Sequence, residues 1–234
     1  MSVAIIPARG GSKRIPRKNI KDFGGRPMIA HSIVAALESG CFDRVLVSTD
    51  DPEIAEVARQ WGADVPFMRP AELSDDTTAT APVILHALEW LEEQGSRPDE
   101  ACCIYATAPF LKPRYLREGL EILRRTGATT AFSVTTFAFP IFRSLKVDEA
   151  GVVSMFWPEH RLTRSQDLPE AYHDAGQFYW LNTARFVSSP NLYAADSQAV
   201  ILPRRLVQDI DTQEDWEVAI ALYEAMSAME GKST

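Results

Sequence analysis

Apolar runs typical of buried strands alternate with amphipathic helical patterns along most of the chain. Strands are predicted at residues 3–7, 44–48, 65–68, 101–105, 128–135, 177–181 and 206–210. Helices are predicted at residues 27–40, 53–61, 79–94, 113–125 and 214–229. Gly40, Gly62 and Gly127 are placed to end three of these helices. We therefore expect an α/β fold with a doubly wound, mostly parallel sheet that binds ligands at the carboxyl ends of its strands.

This alternation stops between residues 137 and 170, where prolines and short strand-like runs are interspersed with aromatic residues. The aromatic residues include Phe137, Phe139, Phe142, Phe156 and Trp157. Exposed aromatics of this kind form either a subunit interface or a small satellite core. We expect a single domain over residues 1–234, in which residues 137–170 are an inserted arm that forms a homodimer.

Composition narrows the class of protein without identifying it. The 234 residues are 46% hydrophobic and 24% charged, as in one ordinary soluble domain, and the net charge of −8 argues against a nucleic-acid-binding protein. No apolar run reaches the roughly 18 residues of a membrane span, and a first strand at residue 3 leaves no room for a signal peptide. The three cysteines lack metal-ligand spacing. We expect a cytoplasmic protein with reduced thiols and no membrane contact.

Positive charge is concentrated directly after the first strand, in a segment that we name the basic loop (residues 8–21). Its cations are Arg9, Lys13, Arg14, Arg17, Lys18 and Lys21. Because Gly10 and Gly11 let a ligand approach the backbone, the loop is predicted to bind a polyphosphate. The fingerprints G-x-G-x-x-G and G-x-x-x-x-G-K-[ST] are absent, which argues against a Rossmann dehydrogenase and a P-loop kinase. The alternative is a basic surface patch without a specific ligand.

Two aspartates lie near the end of the last predicted strand. Strand alternation would place Asp209 and Asp211 on one face and Ile210 in the core. Mg²⁺ in nucleotide sites takes one or two carboxylates, so Asp209 and Asp211 are predicted metal ligands, with Mg²⁺ as cofactor. In the alternative interpretation, Asp211 caps the final helix together with Glu214.

Four separated motifs, in this order, give the chain a family resemblance. The motifs are Ile6–Lys13 with Pro16 and Lys18-Asn19, Val47–Asp50, Arg69–Leu73 with Asp76-Thr77, and Asp209–Thr212. The sequence resembles the CMP-sialic acid synthetases, cytidylyltransferases that join CTP to an acidic nine-carbon sugar. The resemblance covers nearly the whole chain and implies a Rossmann-like nucleotidyltransferase fold, with CTP and such a sugar as substrates.

The resemblance also implies roles for individual residues. Arg9, Lys18 and Asp211 would be catalytic, Asp209 and Asp211 would carry Mg²⁺, and the sugar's anomeric hydroxyl would attack the α-phosphorus of CTP. The implied nucleotide-binding residues are Ala8, Arg9, Gly10, Gly11, Ser12, Lys13, Lys18, Asn19, Arg69, Thr78 and Thr80.

The sugar-binding segments depart from the sialic acid pattern. Where those enzymes commonly read Q-P-T-S-P, this chain has residues 105–109 beginning with Tyr105, and residues 172–180 are similar to the branch that activates pseudaminic acid. The implied sugar-binding residues are Tyr105, Thr107, Arg143, Arg164, His173, Asp174 and Gln177. Arg143 and Arg164 would either bind the sugar carboxylate in the partner's site or be solvated surface residues. Asp174 would either contact the sugar or hold a turn. Sialic acid, legionaminic acid or Kdo as the sugar, another phosphoryl-transfer enzyme, and a silent nucleotide sensor remain as alternatives.

Overall fold

The computed structural model describes residues 1–230, which form a six-stranded sheet with helices on both faces. The strands are β1 (Ser2–Pro7), β2 (Asp22–Phe23), β3 (Arg26–Pro27), β4 (Arg44–Ser48), β5 (Glu100–Ile104), β6 (Thr130–Thr136), β7 (Leu145–Val147), β8 (Val153–Met155), β9 (Tyr172–Asn182) and β10 (Gln198–Ile201). The helices are α1 (Met28–Ser39), α2 (Pro52–Gln60), α3 (Thr80–Glu93), α4 (Pro113–Thr126), α5 (Thr183–Ser188) and α6 (Gln213–Glu230).

The main sheet has the strand order β10-β6-β9-β5-β1-β4 and is mostly parallel, as the sequence predicts. In the registers of the parallel pairs, Ala4 lies opposite Val45 and Cys102. Strand β9 is the exception, because it runs antiparallel to both β5 and β6. Its apolar run gives no sign of this reversal, since burial on both faces produces the same pattern in either direction.

Alternation along β1 divides the core into two layers. Val3 and Ile5 face a cluster that includes Ile84 and Leu91 of α3. Ala4 and Ile6 face the opposite cluster, to which α1, α4 and α6 contribute. Every β1 side chain from Val3 to Ile6 is fully buried, so the strand is covered on both faces and holds the start of the basic loop in a fixed place.

Helix ends follow the predicted signals. Asp51 caps α2 by accepting hydrogen bonds from the Glu53 and Ile54 amides, at 2.9 and 3.0 Å. Gly40 ends α1 and Gly127 ends α4, both with positive φ (66° and 63°) in the left-handed region that favours glycine.

Two strand predictions are wrong. Residues 65–68 contain a single isolated bridge residue, Met68, and a second bridge lies just before them at Asp64. Leu206 ends a short 3₁₀ turn (Arg204–Leu206) and residues 207–210 run as irregular chain, although Leu206 and Ile210 are buried. The last strand of the sheet is instead β10, which pairs in parallel with β6 and had no counterpart in the sequence prediction. We name residues 206–211 the aspartate segment.

The arm (residues 137–170) leaves the domain between β6 and β9 and folds into the β7–β8 hairpin and short 3₁₀ turns. It exposes large apolar side chains, with Phe139 83% and Leu162 84% accessible. No helix among residues 1–230 is both long and apolar enough to span a bilayer.

Candidate active site

The basic loop leaves β1 at the carboxyl edge of the sheet and is held close to the loop that follows β4. The Gly10 amide donates to Asp50 Oδ1 at 3.0 Å, and a Cβ on Gly10 would lie 2.6 Å from Asp51 Oδ2. Asn19 is buried and its Nδ2 donates to the Arg9 carbonyl at 2.9 Å. Glycine at residue 10 is therefore required by close approach to neighbouring atoms.

Backbone amides of this loop are less available to a ligand than the glycines suggest. The Ala8 amide donates to the Ser48 carbonyl at 2.9 Å, and the Ser12 amide donates to the Gly10 carbonyl at 3.0 Å. Together with the Gly10 amide, three of the expected phosphate donors are engaged inside the protein. At Gly11 a Cβ would meet no atom within 4 Å, so open space surrounds that residue. Side-chain cations are left as the main anion-binding groups.

These cations line a cleft of about 470 Å³. The lining residues are Pro7, Arg9, Ser12, Lys13, Arg14, Lys18, Asn19, Asp76, Tyr105, Ala106, Thr107 and Asp211. The cleft thus joins the basic loop to the loop after β5 and to the aspartate segment. The cations of the basic loop and the carboxylate of Asp211, which are far apart in the sequence, therefore meet at one site, as predicted.

Ion pairs connect the basic loop to two aspartates of the cleft. Arg9 and Lys13 both pair with Asp76. Arg14 lies 2.9 Å from Asp211, and Lys18 lies 3.5 Å from it. The Lys18 ammonium also donates to the Ile210 carbonyl at 2.6 Å.

The aspartate segment places its two carboxylates on either side of a buried residue, Ile210. Burial, and next the charge of Asp211, raise the pKa of Asp209 above its ordinary value. The capping interpretation of Asp211 is wrong: Thr212 caps α6, and its hydroxyl accepts from the Asp215 amide at 3.2 Å. Asp215 returns the contact by accepting from the Thr212 amide at 2.8 Å, which completes a capping box. The Asp211 carboxylate therefore does not cap the helix and is paired with Arg14 and Lys18 in the cleft.

The remaining predicted nucleotide-binding residues lie behind the basic loop. Arg69 is 6% exposed, and burial lowers the pKa of its guanidinium. Its Nη2 lies 3.7 Å from Asp50 Oδ1, and its Nε donates to Ser74 Oγ at 3.1 Å. Thr78 donates its amide and hydroxyl to Asp75, at 2.6 and 2.7 Å. Its hydroxyl is therefore used within its own turn.

A polar cluster extends the cleft beyond Tyr105. The Tyr105 hydroxyl lies 3.2 Å from Thr80 Oγ1, at the start of α3. Asp174 accepts hydrogen bonds from the hydroxyls of Tyr179 and Tyr193, the latter at 2.5 Å. Burial is the main reason that the pKa of the Tyr193 hydroxyl is raised to about 12, followed by its bond to Asp174.

The contacts of Asp174 support the interpretation that it holds a turn, and its contact with a sugar stays a prediction. Asp174 Oδ1 accepts from the Gly176 amide at 2.8 Å, where β9 shifts register against β6 and Gly176 has φ of 61°. Asp174 therefore holds a bulge. Its other oxygen is directed to Tyr179 and Tyr193, beside Tyr105.

Of the seven predicted sugar-binding residues, only Tyr105 and Thr107 line this cleft; Asp174 and the four residues that follow here do not. Arg143 donates to the Thr163 carbonyl, and Arg164 pairs with Asp167 at 2.7 Å, both within the arm. His173 packs its ring on Phe137. The buried Gln177 donates its amide to the Leu206 carbonyl, so that it supports the aspartate segment from the core.

A family model for cytidylyltransferases matches residues 3–233. The chain belongs to the cytidylyltransferase family. It is 46% identical over 222 residues to the pseudaminic acid cytidylyltransferase of Campylobacter jejuni strain 81-176, covering 95% of this chain and 96% of that one. It is 34% identical over 230 residues to the CMP-N,N′-diacetyllegionaminic acid synthase of Legionella pneumophila, covering 95% and 96%. The solved CMP:2-keto-3-deoxy-manno-octonic acid synthetase complexed with CTP shares the fold, with TM-score 0.69, 19% identity and coverage of 96% and 99%.

Sequence reasoning missed two contributors to the site of this cytidylyltransferase. Asp76 falls in a recognised motif but was given no role, and its ion pairs depend on how two distant loops meet. Tyr193 lies in an irregular segment after α5 without any motif, and its ring contacts those of Phe132 and Tyr179. No pattern in the sequence around Asp76 or Tyr193 indicates these contacts.

Proposed function

We propose that this cytidylyltransferase transfers CMP from CTP to the anomeric hydroxyl of pseudaminic acid and releases pyrophosphate. The main support is the 46% identity to the Campylobacter jejuni enzyme over nearly the full length of both chains, against 34% for the legionaminic acid synthase. The cleft is consistent with this reaction, because it combines the cations of the basic loop with the hydroxyl groups of Tyr105 and Thr107.

Arg9 and Lys18 are proposed to hold the triphosphate and to stabilise negative charge as the α-phosphoryl group moves to the sugar oxygen. Each charge-assisted hydrogen bond to phosphate contributes about 1.5–3 kcal/mol. Because there is little covalent chemistry for the protein to perform, positioning and electrostatics supply most of the rate enhancement. Gly11, Ser12, Lys13 and Asn19 would shape the same phosphate site, with Arg69 behind it.

Asp209 and Asp211 are proposed to hold Mg²⁺. Among residues 1–230 no group of three or more acidic, histidine or cysteine side chains forms a metal site, so two carboxylates would share the ion with nucleotide and water. The residues fit this arrangement, since burial and then the charge of Asp211 raise the pKa of Asp209, and a divalent cation would relieve the repulsion between the two carboxylates. A bound Mg²⁺ would neutralise charge on the phosphates. Ile210 between the two aspartates is buried, and of the two carboxylates only that of Asp211 lines the cleft.

The sugar is proposed to bind beyond Tyr105, next to Asp174 and its two tyrosine partners. Asp174 keeps acceptor capacity that suits an acylamino N–H, and Thr107 lines the cleft together with Tyr105. The sugar's carboxylate needs a cation, and Arg143 and Arg164 lie in the arm outside the cleft. We propose that a partner's arm supplies them in a homodimer, which would also cover exposed Phe139 and Leu162.

Pyrophosphate release from purified protein tests the reaction. The assay combines Mg²⁺, each of the four ribonucleoside triphosphates and a panel of acidic sugars, and the expected active pair is CTP with pseudaminic acid. Asp211→Asn should abolish turnover. Asp64→Asn is the matched control, because Asp64 pairs with Arg44 at the amino-terminal end of β4, outside the cleft. Faster turnover with legionaminic or sialic acid would refute the proposed sugar.

Subunit mixing tests the dimer and the arm arginines together. Arg164→Ala and Asp211→Asn proteins, each inactive alone, are mixed and allowed to exchange subunits. If Arg164 serves the partner's site, each mixed dimer contains one intact site, and about 25% of wild-type activity returns at equal mixing. No recovery, despite mixed dimers detected by mass spectrometry, would place Arg164 outside the partner's site.

The apolar side chains of the arm are tested separately. Light scattering of a variant that carries both Phe139→Asp and Leu162→Asp should show a monomer.

A further inference from the structure

We infer that Asp76 occupies the phosphate-binding position of the basic loop as an internal substitute for the triphosphate, so that CTP must displace Asp76 in order to bind. The inference rests on the proposed function, because it takes Arg9 and Lys13 as phosphate ligands. It assigns to Asp76 a role in setting nucleotide affinity and pyrophosphate release.

The first observation is the shape of the contact. Asp76 presents one carboxylate oxygen to Arg9 and the other to Lys13, so that a single group bridges two loop cations. Two oxygens that bridge a guanidinium and an ammonium make the same contacts as adjacent oxygens of a phosphate. Asp76 also lines the cleft itself, together with both of its partners. The carboxylate therefore lies where a phosphate group would make the same bonds.

The second observation is that the local fold does not depend on the Asp76 side chain. The turn that contains it is held by its neighbour, since Asp75 Oδ1 accepts from the amides of Thr77 and Thr78, at 2.9 and 2.6 Å. Asp75 also tethers Arg9 through its carbonyl, at 3.0 Å. Removing the Asp76 charge should leave this turn intact.

The third observation is access. The side chains of Arg9, Lys13 and Asp76 are 37%, 80% and 41% exposed, so water reaches all three and their pairing can be exchanged at low cost. Lys13 and then Arg9 lower the pKa of Asp76, as expected for a carboxylate paired with two cations. Arg17 differs, because its partner Asp51 also caps α2 and cannot be released without cost to the fold.

Two consequences follow for the reaction. CTP must break both Asp76 pairs, which weakens its binding. After CMP transfer, Asp76 can return to Arg9 and Lys13 and thereby displace pyrophosphate. A substitution that removes the charge of Asp76 should therefore tighten binding of both phosphate ligands.

The test compares wild type, Asp76→Asn and the matched control Asp64→Asn by calorimetric titration with Mg²⁺ present and the sugar absent, so that no CMP transfer occurs. Because exposed ion pairs are individually weak, Asp76→Asn is expected to lower the Kd of CTP and of pyrophosphate by about 2- to 10-fold. Cytidine has no phosphate, so its Kd should not change. Asp64→Asn should match wild type throughout, and Asp76→Ser serves as a second variant.

The outcomes separate this inference from the proposed function. Wild-type protein that fails to bind CTP would overturn both. CTP binding by wild type with unchanged or weaker binding by Asp76→Asn and Asp76→Ser would overturn the competition alone, and weaker binding would identify Asp76 as a residue that positions Arg9. Equal tightening of cytidine would also overturn it, since the effect would not then depend on phosphate.

Discussion

Replacing Lys18 with alanine should damage both the stability of the site and its chemistry. The Lys18 ammonium donates to the Ile210 carbonyl at 2.6 Å and lies 3.5 Å from Asp211, which joins the basic loop to the aspartate segment. The side chain is only 17% exposed, so water replaces these contacts poorly. Lys18→Ala therefore removes a link between the two charged elements as well as a proposed phosphate ligand.

The magnitudes can be worked from these contacts. A hydrogen bond from a charged donor contributes about 1.5–3 kcal/mol to folding. For a domain of this size each kcal/mol shifts Tm by about 2–4 °C, so the expected loss is about 3–12 °C. Loss of one donor to the charge that develops in the transition state lowers kcat by about 10²–10³-fold.

Differential scanning calorimetry and pyrophosphate release at saturating CTP measure the two effects. Lys21→Ala is the matched control, since Lys21 belongs to the same loop but lies over the Trp216 ring, 4.5 Å from its centroid, and outside the cleft lining. Turnover of Lys18→Ala within about twofold of Lys21→Ala would refute the catalytic role. A lower Tm in that case would leave Lys18 as a structural link.

Two further predictions concern buried groups. Burial, and to a lesser extent Arg26, lower the pKa of His31 to about 4 from 6.5. Neutral His31 thus contributes fully to the free energy of unfolding above pH 6.5, and this contribution is lost as the pH falls through 4. The total loss is about 3 kcal/mol. Thermal unfolding of His31→Gln should therefore depend less on pH across this window, and an equal dependence would contradict the assignment. Burial also raises the thiol pKa of Cys102 and Cys103, so thiol reagents should label native protein at Cys41 alone; rapid labelling of a second thiol would contradict this.

The regular elements were predictable because local signals coincide with burial. The apolar run at residues 44–48 became β4 with the same bounds, and the helix predicted at residues 53–61 became α2 (Pro52–Gln60). Gly40 and Gly127 end helices where left-handed backbone is needed. These features depend on a few neighbouring residues, which a single sequence records well.

The aspartate segment shows where such reasoning fails. Leu206 and Ile210 are buried, which gives the pattern of a strand, but alternation reports burial and not the hydrogen-bond partner. Here the Leu206 carbonyl accepts from Gln177 and the Ile210 carbonyl from Lys18. Side chains from distant parts of the chain replace a neighbouring strand, and no local signal marks them.

The segments that form the cleft were also predictable in part from the sequence. Segments that follow parallel strands converge at one edge of the sheet, which brings Arg9 and Tyr105 together as expected. Asp211 joins them from the irregular aspartate segment, not from the end of a strand. The pairing of Asp76 with the basic loop and of Tyr193 with Asp174 depends on loop shape. The sequence indicates which loops meet, whereas their individual contacts require the three-dimensional structure.

The link from Lys18 to Ile210 spans 192 positions of the chain, and this has a consequence for biosynthesis. At about 5–20 residues per second, a ribosome needs roughly 10–40 seconds to make the intervening polypeptide. During that interval the nascent chain contains the basic loop but not yet the aspartate segment. Catalytic competence is thus acquired late in translation, and prematurely terminated products would be inert.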